Sequence, residues 1–176
     1  KHFSGVSELN VTMGLPRIIE ILDGRKTIGT PLMEIYLKKP HNKGENIREL
    51  ALQIKETKLG SLVEEYNLDM AELSIECLLD EKAMKERGLK ISQVVAAIKK
   101  SMKKAKVEKG DDFTMTVTLD PKDNSLHDLY RVREKLKIAY VHGLKGVKEV
   151  QPLRREDEYI IITAGTNLKE VMKIDF

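Results

Sequence analysis

The sequence has no tryptophan, one cysteine, and aromatic residues at only 5% of its length. With Cys77 alone, no disulfide can close within the chain and no cysteine cluster can hold zinc. A reducing, cytoplasmic setting is therefore expected. No apolar run approaches the roughly 20 residues needed to cross a bilayer as a helix, and no signal-peptide pattern opens the chain, so no membrane association is expected. The glycine-rich phosphate loop ending in Gly-Lys-Ser/Thr is missing, as are the Gly-x-Gly-x-x-Gly turn of dinucleotide sites and the His-Glu-x-x-His zinc motif. His2, His41, His127 and His142 are scattered, with none paired at metal-ligand spacing. The acidic pairs Asp80-Glu81 and Asp111-Asp112 sit at turns and caps. A two-metal site needs several carboxylates converging on one point, and no motif gathers them. These absences argue against a self-sufficient active site, and neither a metal nor a cofactor is expected to be held by this chain.

What is present is 176 residues, 41% of them hydrophobic and 34% charged. That length suits one large domain or two small ones. A charge-rich, aromatic-poor surface fits the ion-pair networks of thermophile proteins. The net charge of +3 and the pI near 8.8 permit contact with a polyanion without arguing for it. The chain opens on Lys1-His2-Phe3 without an initiator methionine and ends on Lys173-Ile174-Asp175-Phe176 without a stop signal. Both ends read as cuts, and a fragment is expected.

Hydrophobic periodicity sets the elements. Phe3, Val6, Leu9 and Met13 fall at helical spacing, and Gly14 can stop that helix. Pro16 can start a second helix through Ile18, Ile19 and Leu22, closed by Asp23-Gly24. Residues 32–38 read as a strand, Pro40 to Gly44 as a polar turn, and Ile47, Leu50, Ala51 and Ile54 as one face of a helix. A short strand is expected over 62–66. From Ala71 to Leu79 the odd positions are apolar and Glu72, Ser74 and Glu76 are polar, the period of a half-buried strand. Asp80 can cap a helix that Gly88 ends, and Ser92 can cap the next, with Val94, Val95, Ile98 and Met102 facing a core. Phe113 to Leu119 alternates with threonines, the cleanest strand of all. Ser125 and Asp128 form a capping-box pattern ahead of Leu126, Leu129, Val132 and Leu136. Residues 147–153 and 159–163 read as paired strands, and Asn167 with Glu170 caps a last short helix. Leu79-Asp80 and Leu119-Asp120 repeat one strand-to-helix junction. Hairpins mixed with strand–helix units predict an α+β fold with a mixed or antiparallel sheet, packed helices and an N-terminal helical segment.

Lys99, Lys100, Lys103, Lys104, Lys106 and Lys109 crowd the end of one helix and its exit. Cations there complement the helix macrodipole on a solvated face, and they can equally meet phosphates. Cys77 reads as a small core residue, and His41, in its Pro-His-Asn turn, as an exposed one.

The N-terminal block is more specific. Three phrases follow one another: His2-Phe3-Ser4-Gly5-Val6, then Asn10-Val11-Thr12-Met13-Gly14-Leu15-Pro16-Arg17-Ile18-Ile19-Glu20-Ile21-Leu22, then Thr30-Pro31-Leu32-Met33-Glu34-Ile35-Tyr36-Leu37. In order and spacing they resemble one stretch of the largest subunit of multisubunit RNA polymerases. The wording Leu-Pro-Arg-Ile-Ile-Glu-Ile resembles the archaeal form, in which that subunit is split and the second part is called A-double-prime. Gly165-Thr166-Asn167-Leu168-Lys169-Glu170-Val171-Met172 is similar to the family's return from jaw to cleft. The resemblance implies residues 1–30 as the end of the trigger loop and cleft helices, 31–164 as an α+β jaw, and 165–176 as the return segment. His2 then falls on the trigger-loop histidine, a catalytic residue that approaches the phosphates of the incoming nucleotide. Lys1 departs from the aromatic residue usual beside it. Arg17, Lys99, Lys100, Lys103 and Lys104 become candidate nucleic-acid contacts. The family's Mg2+ is held by an Asn-Ala-Asp-Phe-Asp-Gly-Asp motif absent from these 176 residues, so the ion belongs to another part of the assembled polymerase. The implied partners are other polymerase subunits and downstream DNA, with no homo-oligomer expected and no polymerisation by this chain alone. The competing expectations are a stand-alone protein-interaction module and a small nucleic-acid-binding α+β domain.

Overall fold

A computed structural model describes residues 14–29, 31–44, 46–120 and 125–174. The expected helix over 3–13 lies outside them. In chain order the elements are α1 (Leu15–Leu22), β1 (Leu32–Tyr36), α2 (Ile47–Ile54), β2 (Thr57–Lys58), β3 (Val63–Asp69), β4 (Ser74–Leu79), α3 (Glu81–Glu86), α4 (Ile91–Ser101), β5 (Ala105–Lys109), β6 (Thr114–Leu119), α5 (Leu126–Lys137), β7 (Tyr140–His142), β8 (Glu149–Arg155), β9 (Glu158–Ala164) and α6 (Leu168–Val171). Every strand pair among the described residues is antiparallel. The fold is α+β, as the element pattern predicts.

The described residues form two compact units, one made of those up to Glu56 with those from Gly143 onward and the other of Thr57–His142. In the first, β9 is the centre of a three-stranded sheet of order β1-β9-β8. Ile161 lies opposite Ile35 on one side and Pro152 on the other. Helix α2 brings Ile47, Leu50 and Ile54, spaced i, i+3, i+7, onto Met33, Leu144, Val147 and Ile161. Two backbone bonds close this unit where its chain segments meet: Glu56 N–H donates to the Val147 carbonyl at 2.9 Å and Leu144 N–H to that of Ile54 at 3.0 Å.

The second unit carries a four-stranded sheet of order β3-β4-β6-β5 and a short β2-β7 pair. The register sets Ile75 opposite Val117 and Cys77 opposite Met115, so both pairs project from one face. That face packs with Val107 of β5, Met84 of α3, Val94 and Ile98 of α4, and Leu129 and Leu136 of α5. Helix starts follow the sequence signals. Asp80 accepts from the N–H groups of Lys82 (2.8 Å) and Ala83 (3.1 Å), and the Asp128 carboxylate accepts from Ser125 N–H at 3.0 Å and Ser125 O–H at 2.8 Å.

Four expectations are corrected. The lysine-rich tract after α4 is not simply a helix exit: Ala105–Lys109 is an edge strand on β6, with only Val107 buried. Ser92 is not the cap of α4, which begins at Ile91, where Gln93 Oε1 accepts from Lys90 N–H at 2.9 Å. The strand expected from Ala71 starts at Ser74, because Asp69 Oδ1 accepts from Ala71 and Glu72 N–H and turns the chain from β3 into β4. Ser74 itself, assigned by alternation to the solvent face, is buried.

Gly88 and Gly165 both have positive φ (+62° and +105°), but only at Gly165 would a Cβ strike backbone, at the Gly146 carbonyl; open space surrounds Gly88. Gly88→Ala is expected to cost about 1–2 kcal/mol, the usual left-handed penalty, and Gly165→Ala clearly more. Thermal unfolding of the two variants checks the ranking.

Candidate functional site

Helix α4 ends in Lys99 and Lys100 on its last turn, and the connector to β5 adds Lys103 and Lys104; all four are exposed. On α5, the capped start fixes the register that sets Arg131 and Lys135 one helical turn apart. Lys103, Lys104, Arg131 and Lys135 line one surface hollow of about 480 Å³, whose apolar walls include Met102, Leu119 and Val132. Lys99 and Lys100 do not line it.

Asp128 is the one acidic residue of the lining. Its carboxyl is held below the ordinary range chiefly by the Ser125 backbone N–H, then by the Ser125 hydroxyl and the charges of Arg131 and His127. Arg131 reaches it at 3.7 Å. Lys103, Lys104 and Lys135 have no ion-pair partner among the described residues. The hollow therefore presents four cations against one carboxylate. The sequence reading found the lysines of the α4 exit but missed Arg131 and Lys135; the signal was their i, i+4 spacing on a capped helix.

Arg17 belongs to the other unit. Its guanidinium lies 3.1 Å from Glu20 Oε2, and Glu20 Oε1 accepts from Gly29 N–H at 2.9 Å. The Glu20 carboxyl is lowered mainly by that N–H and then by Arg17. Arg17 thus steadies the link between α1 and the following loop and is not brought to the lysine hollow. On the same helix Ile18, Ile19 and Leu22 are 52%, 43% and 80% exposed, an apolar surface without a cover among the described residues. His2, Phe3 and Val6 lie outside the described residues.

Cys77 is fully buried, and burial raises its thiol to about 12, so it is a core residue with no nucleophilic character at neutral pH. Tyr66, opposite Cys77 in the sheet, is also raised to about 12 by burial. Among the described residues no three His, Cys, Asp or Glu side chains converge to hold a metal ion, and no helix is long and apolar enough to cross a membrane.

The described residues thus define an α+β protein of antiparallel sheets with a basic hollow and an uncovered apolar helix. No protein-family model matches the chain. It is 42% identical over 175 residues to DNA-directed RNA polymerase subunit Rpo1C of Methanocaldococcus jannaschii. The match takes in 99% of this chain but 20% of that relative, so the chain spans about a fifth of the length of the curated protein it matches. The similarity accordingly runs well past the first 37 residues, through the middle stretch where the motifs are least distinctive.

The Asp128 carboxyl gives a pH signature. Because the Ser125 backbone N–H holds the folded carboxyl below its ordinary value, its contribution to stability is fully present above the unfolded carboxylate pKa and is lost as pH falls through the lowered folded one. The gap in Tm between the wild-type chain and Asp128→Asn should hold steady from about pH 7 to about pH 5 and shrink below the ordinary carboxylate range of roughly 3.9. A gap independent of pH would show that the charge of Asp128 does not matter.

Proposed function

We propose that this chain is a portion of the largest subunit of an archaeal-type, multisubunit DNA-directed RNA polymerase, acting in transcription as part of that complex. The observation that carries the reading is the 42% identity to the archaeal polymerase subunit over 99% of this chain. The exposed apolar surface of α1 supports it: Ile18, Ile19 and Leu22 form the kind of patch that marks a docking surface, as expected of a helix that packs on the rest of a larger protein.

On this reading residues 1–30 form the end of the trigger loop and the cleft helices, 31–164 the jaw, and 165–176 the return to the cleft. The jaw forms part of the wall around downstream DNA. The trigger loop works as a lid that closes over the bound nucleotide and gates each addition. His2 approaches the phosphates on closure and acts by position, positive charge or proton donation. The aspartate motif that holds the catalytic Mg2+ is absent from the 176 residues, so nucleotidyl transfer belongs to the complex and the chain is inactive alone. Its partners are the other polymerase subunits and DNA. The basic hollow favours a second reading, a small nucleic-acid-binding domain that works by itself.

The test uses the chain extended upstream through the trigger loop and mixed with the remaining subunits of an archaeal polymerase. It is expected to co-assemble and restore RNA extension, with His2→Ala slowing extension by about 10²–10⁴-fold, the usual range for a positioned proton donor. Ile18→Asp with Leu22→Asp should abolish co-assembly while leaving the isolated chain's stability within about 0.5 kcal/mol, as for other exposed sites. A wild-type chain that neither co-assembles nor restores extension would overturn the polymerase reading.

A further inference from the structure

We propose that the hollow lined by Lys103, Lys104, Arg131 and Lys135 is a phosphate-backbone site for duplex DNA, with Arg131 and Lys135 of α5 forming the half that no sequence motif marks. The inference deepens the polymerase reading and rests on it only for the choice of DNA over other polyanions.

The four cations come from two places in the sequence, the exit of α4 and the middle and last turns of α5, and the fold turns both toward one concavity. The macrodipole of α4 accounts for Lys99 and Lys100 in its last turn. That of α5 likewise accounts for Lys135 in its last turn. Neither accounts for Arg131, which stands before the last turn of α5, nor for Lys103 and Lys104 beyond the end of α4. Converging like charges repel, and the chain has 28 acidic residues with which to neutralise them. Elsewhere in the same unit it does so: Lys106 reaches Glu108 at 2.9 Å and Lys137 reaches Glu134 at 2.8 Å. In the hollow Lys103, Lys104 and Lys135 are left without an ion-pair partner among the described residues, and the lone carboxylate is tied up by Ser125. An external anion completes this arrangement.

The lining also selects the kind of nucleic acid. It holds no aromatic side chain, so it offers no platform on which unpaired bases could stack, the feature that holds single strands. It holds no Asn or Gln to read base edges. Cations without stacking or edge readout suit the sugar-phosphate backbone of a duplex, bound without regard to sequence.

The experiment measures binding of the 176-residue chain to a fluorescein-labelled 20-base-pair duplex by anisotropy over a salt series. The variants are Lys103→Gln/Lys104→Gln, Arg131→Gln/Lys135→Gln, and Lys82→Gln/Lys85→Gln on α3 as a control that removes the same charge outside the hollow. All six side chains are exposed, and circular dichroism confirms that each variant is folded. Each hollow variant is expected to weaken binding and lower the slope of log K against log salt by about 1 to 2, from roughly 0.9 per lost phosphate contact, while the control changes neither. Three outcomes would overturn the proposal: equal weakening by the control, no duplex binding by the wild type at low salt, or tighter binding to a single strand of equal length. The readings remain separable. A chain that co-assembles with polymerase subunits but binds no duplex removes the hollow alone, and one that binds duplex through the hollow but does not co-assemble removes the polymerase reading alone.

Discussion

The first unit depends on a closure. Its two chain segments are separated by the whole of Thr57–His142, so residues near 54–56 and 143–147 must be held together against the entropy of a long intervening chain, a cost that rises only slowly with length. Backbone bonds from Glu56 N–H to Val147 O and from Leu144 N–H to Ile54 O do this, beside Ile54, Leu144 and Val147 in the buried cluster. Gly143, at φ +88°, is part of the same device, since a Cβ there would strike the Lys55 carbonyl. Without this seam α2 would have no sheet to cover, and β9 would lose the helix that buries Ile161. The second unit has a matching requirement, met by the β2-β7 pair and by Leu59 N–H donating to Ala139 O at 2.8 Å.

Within the second unit, the core and the basic hollow have a common origin in β5. As an edge strand it exposes an unpaired rim, and charged side chains keep such rims from pairing with other chains. Its burial pattern leaves Val107 as the only side chain turned fully inward. The lysines ahead of it at 103 and 104 continue that charged rim to the end of α4, where α5 supplies Arg131 and Lys135. The charged rim of a sheet edge and half of the basic hollow are thus one stretch of chain. The depressed Asp128 carboxyl couples the two, since it fixes the start of the helix that carries the other cations.

Where a segment buries a regular face, the sequence reading located it. The alternation in β4 and β6 and the i, i+3, i+7 spacing in α2 record burial directly, and Asp80, Ser125 and Asn167 marked three helix starts through side chains that the structure shows bonded to the first turn. The segments missed are those whose stability comes from neighbours. β5 has one buried residue, and β2 and β7 have two and three residues, too few for any period to register. Ser74 broke the alternation because a small hydroxyl side chain can be buried beside a turn, and Ser92 lost the cap position to Lys90, whose N–H is met by Gln93 reaching back. Half of the candidate site was legible as a lysine cluster. For the rest, the i, i+4 spacing on a capped helix marked Arg131 and Lys135 as neighbours of each other, but only the tertiary fold brings them to the α4 lysines.

Helix α1 follows a different logic from α2, α3, α4 and α5, each of which buries side chains in a core. At eight residues it is too short to persist on propensity alone, since isolated helices below about 12–15 residues are marginal in water. Pro16 sits in its first turn, where a missing N–H is tolerated, and Glu20 ties it to Gly29 while pairing with Arg17. These polar tethers fix its geometry, yet they leave Leu15, Ile18, Ile19, Ile21 and Leu22 at 43–80% exposure. Burying a side chain of this size is worth about 1.5–3 kcal/mol, so the helix is held in place by local bonds while most of the stabilisation its residues could supply is unspent. A helix built this way gains its full stability only from a surface that covers it.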